Sequence, residues 1–333
     1  MNETALVLAP FSRDALETLR ASLPVTYESW TETRRLHSPQ ELAQRINAEG
    51  IGILVVEADF VFDQVFQESR NLRLLGICRN GLNHVDIDAA TEHGVAVVNA
   101  PGRNAQGVAE LTLGLMLSLA RGISRLDGYV RNGGWDNAVE PYISMGGLEL
   151  KGKTLGIVGL GAIGRAVARL ARAFGMQVLA CDPYLGPPGG RRVGVILEPL
   201  EKVLRRSDFL SVHTTDTPDN KGLLDKDRLG LLKPGSYVLN TAAYHVIDEE
   251  ALVDGLQSGH IAGAALDVHR SHPIPPNSPL LKLENVILTP HIGGATDGTV
   301  ERQSWMMVEE IHRFLQGQRP RHLVNGEVWV RRE

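Results

Sequence analysis

Basic residues are too few and too scattered in this chain of 333 residues to form a nucleic-acid-binding face. The 34 lysines and arginines are outnumbered by 39 aspartates and glutamates, leaving a formal net charge of −5. Cysteine is scarcer still. Cys78 and Cys181 are far apart, each in an apolar, strand-like run (LLGICRN and VLACDP). They read as buried free thiols in a reducing cytoplasm. Long apolar runs are missing too. LTLGLMLSLA, residues 111–120, is far too short to span a membrane and reads as one buried helix. The N-terminus, MNETALVLAP, has neither a basic n-region nor a long apolar core, so it does not read as a signal peptide. What remains is an ordinary globular composition, 43% apolar and 22% charged, in a chain long enough for two domains.

Short β-like runs alternate with helical patterns, which predicts parallel sheets with crossover helices. ALVLA precedes DALETLRASL, GILVV precedes VFDQVFQES, and LRLLGIC precedes VDIDAATEHG. A long buried helix is expected from about residue 105 to 126, followed by a looser excursion rich in glycine. The alternation restarts at TLGIVGL and runs to NVILTPH, before a last helix in VERQSWMMVEEIHRFLQ. Two α/β sheets in one chain are the expected organisation.

GIVGLGAIGRAVARLARAFGMQVLACDP is the most informative stretch. Gly159, Gly161 and Gly164 form G-x-G-x-x-G between a strand and an amphipathic helix. The first glycine permits the tight turn, the second lets a pyrophosphate approach the backbone, and the third lets helix and strand pack closely. Ala162 and Ile163 open that helix. Asp182 ends the next strand, 18 residues after Gly164. A carboxylate there accepts hydrogen bonds from ribose hydroxyls and repels a 2′-phosphate, which favours NAD over NADP. About 150 residues come before this fingerprint, which usually lies near an N-terminus.

Together with RNGLNHVDIDAATEHGVAVVNAPGRNAQGVAELTLGLML, AGAALDV and LTPHIGGAT, these residues resemble the D-2-hydroxyacid dehydrogenase family. The likeness is to its short form, without a C-terminal regulatory domain, and to phosphoglycerate-dehydrogenase-like members. The resemblance implies a Rossmann NAD domain, residues 103–294, inserted into a flavodoxin-like α/β substrate domain made of residues 1–102 and 295–333. It implies a homodimer built on an arm at about 110–150 and a small-molecule acid as substrate, while the charge balance, the short apolar runs and the free thiols predict a cytoplasmic protein with no nucleic-acid or membrane partner. His291 matches the acid/base residue, and Asp267 matches the residue that holds the nicotinamide carboxamide. Thr214 matches a cofactor contact. Thr241, Ala242, Ala243, Gly293 and Gly294 fall on the cofactor side of the site. Asn80 and Gly81 lie in the loop whose amides receive the substrate carboxylate.

Two matches fail. The family line N-x-A-R-G-G-x-x-D-E reads NTAAYHVIDE here, so Ala243 stands in place of the substrate-clamping arginine, with Tyr244 and His245 after it. The glutamate expected five positions after Asp267 is His272. His272 and Arg79, which precedes the carboxylate loop, are the candidate substitutes. No metal site is expected from His269, His272 and His291, because the i, i+3 pair His269 and His272 lies in a proline-rich loop with no carboxylate nearby. The reading is an NAD-dependent oxidoreductase acting on the CH–OH group of a 2-hydroxy acid, with a rearranged active site. The alternatives are an NAD-binding pseudoenzyme that senses a metabolite, and a scaffold dimer.

Overall fold

The computed structural model describes residues 3–186, 189–190, 193–215 and 217–330. Contacts divide the chain into two units, one running to Arg103 and resuming at Thr296, the other Asn104–Ala295.

In the first unit β1 (Thr4–Val7), β2 (Val25–Tyr27), β3 (Ile51–Val56), β4 (Leu74–Ile77) and β5 (Ala96–Asn99) form one sheet, ordered β2-β1-β3-β4-β5 and parallel throughout. Parallel neighbours need crossovers, and the helices those supply cover both faces. Pleating sorts the side chains accordingly. Ala5, Val7, Ile53 and Val55 enter one apolar cluster, while Leu6, Leu8, Leu54 and Val56 enter another. The helix Asp297–Leu315 adds Met307, Ile311 and Phe314 to the first cluster, so both ends of the chain build one core.

Edge strand β5 is closed by the segment 322–325. Leu323 forms an antiparallel bridge with Val98, and Val324 N donates to Val97 O at 2.8 Å. Asn325 Oδ1 accepts from Val97 N at 2.8 Å, while its Nδ2 reaches Val95 O at 2.9 Å. Beyond β3 and β4 the chain parts and meets again. Val56 pairs with Ile77 in the sheet. Further on, Val61 N donates to His84 O at 2.9 Å and Asp86 N donates to Val61 O at 3.0 Å. Loops 57–60 and 78–84 therefore lie side by side at the C-terminal edge. This pairing corrects the helix expected in VFDQVFQES, which starts only at Asp63. Val61 is taken by the bridge and Phe62 is an extended N-cap.

In the second unit β6 (Thr154–Val158), β7 (Gln177–Cys181), β8 (Ile196–Leu197), β9 (Phe209–Val212), β10 (Ser236–Asn240), β11 (Ile261–Leu266) and β12 (Val286–Leu288) make a sheet ordered β12-β11-β10-β9-β6-β7-β8. All pairings are parallel, so every C-terminal strand end lies on one edge. Chain order reverses between β6 and β9, the switch point at which such Rossmann sheets bind dinucleotides.

The helix expected over 105–126 stops at Arg121. Gly122 caps it in the left-handed conformation, φ 64°, and a second helix, Ile123–Arg131, leaves at a bend of 61°. Among the described residues no single helix is long and apolar enough to cross a membrane. The segment after the bend exposes Ile123, Val130, Trp135, Val139, Tyr142 and Ile143, with Tyr142 90% exposed.

Candidate active site

The three glycines of the fingerprint differ in what surrounds them. Gly159 has φ 93°, and a Cβ on it would sit 2.8 Å from the His213 carbonyl and the Thr214 amide. A Cβ on Gly164 would come within 2.2 Å of Gly159 O, so only glycine lets the helix Ala162–Ala173 lie against its own turn. Gly161 is different. Its φ of −71° suits any residue and a Cβ there would meet nothing within 4 Å. The fold does not need that glycine. The space beside it is open, next to the first-turn amides of Ala162, Ile163 and Gly164, which an α-helix leaves without intrahelical partners. No acidic side chain lies in that turn to compete with an anion.

Asp182, at the end of β7, is tied to the same turn. One carboxylate oxygen accepts from Leu160 N at 2.8 Å and the other from Tyr184 N at 3.0 Å. Thr214 follows β9, and its hydroxyl accepts from Asn220 Nδ2 at 3.0 Å. His213 beside it is buried, with Nε2 2.8 Å from Ser211 Oγ, and burial holds its pKa down at about 3.

After β10 the turn is braced from within by Asn240. Its Oδ1 accepts from Ala242 N at 3.1 Å, and its Nδ2 donates to Ala243 O at 2.9 Å. Thr112 Oγ1 spends its proton on Val108 O at 2.7 Å, so Thr241 Oγ1 is the donor in the 3.1 Å contact between the two hydroxyls. Ala243 is 5% exposed and belongs to an apolar cluster. A short 3₁₀ turn, Tyr244–Val246, follows, with Tyr244 half-exposed and edge-on to His245 at 5.1 Å. Asp248 then caps the helix Glu249–Gln257 through the amides of Glu250 and Ala251.

His291 lies three residues beyond β12, with a positive φ of 58°. Few non-glycine residues occupy that region, and those that do are enriched at functional sites. Asp267, at the end of β11 and 1% exposed, holds the segment in place. Oδ1 accepts from Thr289 Oγ1 at 2.6 Å and Ile292 N at 2.9 Å, and Oδ2 accepts from Gly293 N at 2.8 Å. A Cβ on Gly293 would come within 3.0 Å of that same Oδ2, and Gly294 packs against Asn104. The ring of His272 lies 5.4 Å from that of His291 and 6.2 Å from that of His269. His269 Nε2 donates to Thr289 O at 2.8 Å. Every second-unit residue singled out from the sequence thus sits at one sheet edge.

The first unit presents Arg79, Asn80 and Gly81, all exposed, at the C-terminal edge of its own sheet. The Arg79 carbonyl accepts from Ala100 N at 3.0 Å, and the Asn80 carbonyl accepts from Asn99 Nδ2 at 3.2 Å. His84 closes this loop and the sequence did not mark it. It is 3% exposed, with no hydrogen-bond partner for either ring nitrogen among the described residues. Burial first, then the nearby Arg79 charge, lower its pKa to about 4.

Residues 113–293 match the model of the D-isomer specific 2-hydroxyacid dehydrogenase NAD-binding domain. The chain is 39% identical over 265 residues to a glyoxylate reductase of Korarchaeum cryptofilum, covering 80% of each. It is 34% identical over 321 residues to the D-3-phosphoglycerate dehydrogenase of Methanocaldococcus jannaschii. That alignment takes in 96% of this chain and 59% of the longer relative, so the chain spans little more than half of that protein. Among solved structures, the TT0316 protein of Thermus thermophilus superposes with a TM-score of 0.83 at 36% identity, over 96% of this chain and 99% of that one. The match of residues 113–293 to that model, together with relatives 34–39% identical over most of the chain, places the chain in the D-isomer specific 2-hydroxyacid dehydrogenase family.

Proposed function

We propose that the protein is an NAD-dependent oxidoreductase that interconverts a 2-hydroxy acid and its 2-oxo acid, with His291 as the acid/base. The observation that carries this reading is the threefold hold of Asp267 on the residues around His291, which fixes an exposed imidazole in an unusual backbone conformation. Bound NAD supplies the two-electron acceptor. Gly161, Ala162, Ile163 and Gly164 would receive its pyrophosphate, and Asp182 its adenosine ribose. Thr214, Thr241, Ala242, Ala243, Asp267, Gly293 and Gly294 would line its nicotinamide half. His291 would take the hydroxyl proton during oxidation and return it during reduction, the acid/base role for which enzymes most often use histidine.

Asn80 and Gly81 offer backbone amides to the substrate carboxylate, and Arg79 adds a charge. With Ala243 packed among apolar side chains, no clamp reaches the substrate from that position. Such a donor is worth roughly 2.7–4 kcal/mol in rate. Glyoxylate and pyruvate should therefore turn over well below the median enzyme rate of about 10 s⁻¹. Steady-state NADH oxidation across a panel of 2-oxo acids tests the reading. Tight NADH binding with no acid reduced would point instead to a cofactor or metabolite sensor.

The exposed apolar residues after Gly122 support a homodimer. They adjoin a cleft of about 930 Å³ lined by Leu119, Arg121, Tyr129, Leu148, Tyr237 and Asn285. Light scattering on wild type and on Tyr142→Asp/Ile143→Asp tests this, with a monomeric variant expected. A cytoplasmic protein that uses neither nucleic acid nor membrane remains part of the same reading.

A further inference from the structure

We infer that the first unit carries a subsite for a bulky apolar substituent of the substrate acid, formed by Phe60 and Phe62 beside the Asn80–Gly81 loop. It rests on the oxidoreductase reading and names the substrate class within it, a 2-oxo acid with an aryl or branched alkyl group. Val61 is fully buried and bridges Val85. Alternate residues of an extended segment face opposite sides, so inserting Val61 into the core turns both flanking phenylalanines outward. Their rings lie 5.5 Å apart at an interplanar angle of 38°, and they remain 47% and 43% exposed.

Single exposed apolar residues need no explanation, but an aromatic pair beside an anion-binding loop does. The loops carrying the two features are bracketed by the Val56–Ile77 pairing at one end and the Val61–Val85 bridge at the other. Arg79 brings a cation to the same edge, and no acidic group among the described residues pairs with it. The Asp63 carboxylate that follows Phe62 is engaged by Gln67 Nε2 at 2.5 Å. Cation, free amides and aromatic faces on one short edge match a carboxylate attached to an apolar body. Glyoxylate and pyruvate have nothing to lay on the rings.

Equilibrium binding tests the inference without turnover. The protein saturated with NAD⁺ cannot reduce an oxo acid, so calorimetry can rank phenylpyruvate, 4-methyl-2-oxopentanoate, pyruvate and glyoxylate. Phenylpyruvate should bind roughly tenfold or more tighter than pyruvate, the scale of discrimination an apolar pocket supplies. Phe60→Ala/Phe62→Ala should abolish that preference. Arg79→Gln should weaken all four acids by a similar factor, leaving their order intact. Because the substitutions lie in the first unit, a melting transition and circular dichroism spectrum like those of wild type report that each variant is folded. Equal binding of phenylpyruvate and pyruvate by wild type would overturn the inference, as would a preference that survives the double substitution. Strong binding without NADH-dependent reduction would instead refute the oxidoreductase reading and leave the subsite standing.

Discussion

Asp267 grips the backbone immediately after His291 with both of its oxygens, at Ile292 N and Gly293 N, and the residue two before it through the Thr289 hydroxyl. The carboxylate therefore fixes where the imidazole is presented. Asp267→Asn puts an NH₂ where an N–H now donates, so one bond at least becomes a clash of donors. Each charge-assisted bond is worth roughly 1.5–3 kcal/mol. The variant should lower both melting temperature and kcat, a loss read by calorimetry and initial rates together.

His291→Ala removes the proton carrier and leaves in place the bonds from Asp267 to the Thr289 hydroxyl and to the backbone of Ile292 and Gly293. A fall in kcat of roughly 10²-fold or more is expected, the low end for general acid–base catalysis, with NADH affinity little changed. Activity that persists would mean the proton passes elsewhere.

The glycine turn gives a paired test. Gly164→Ala drives a methyl group to 2.2 Å from Gly159 O and should destabilise the fold. Gly161→Ala adds a Cβ that meets no protein atom within 4 Å and should leave thermal stability unchanged while weakening NADH binding. Equal loss of stability in both variants would show that Gly161 serves the fold and not the cofactor.

Asp182 should give at least a tenfold preference for NADH over NADPH, since a carboxylate at the ribose repels the 2′-phosphate. Asp182→Ser should narrow the gap. It should also lower the melting temperature, because the carboxylate additionally holds Leu160 N and Tyr184 N. Fluorescence titration with both cofactors measures the first effect.

Acid should unfold the protein through His84 and His213. Both are held neutral by burial, with pKa values lowered to about 4 and about 3. In the unfolded chain each titrates near 6.5, so the unfolded state takes up the proton first. Their contribution is complete above about pH 6.5 and is lost as pH falls toward those folded values, at roughly 1.4 kcal/mol per pH unit for each group. Urea unfolding between pH 7.5 and 5 should show this slope, and His84→Leu should flatten it.

The parallel sheets and the cofactor turn were legible because their signals are local. Strand, glycines, helix and Asp182 follow one another in a single stretch. Gly122 was not legible as a helix end, because Gly114 sits inside the same helix and composition alone cannot tell the two apart. The hold of Asp267 on residues 289–293 depends on β11 lying beside β12, which is a matter of pairing across sequence. His84 gave no signal at all, since a buried histidine without a partner looks like any other histidine in a polar loop.

The closing of β5 by residues 322–325 has a consequence for synthesis. Protein is made from the N-terminus, so β5 emerges more than 200 residues before Asn325, the side chain that takes its Val97 amide. Throughout that interval the sheet has an open edge, a template for pairing with another nascent chain. The second unit, contiguous in sequence, can fold while the first still waits for its last strand-side partner. Chains released early, short of residue 322, should accumulate in aggregates rather than as free two-unit protein.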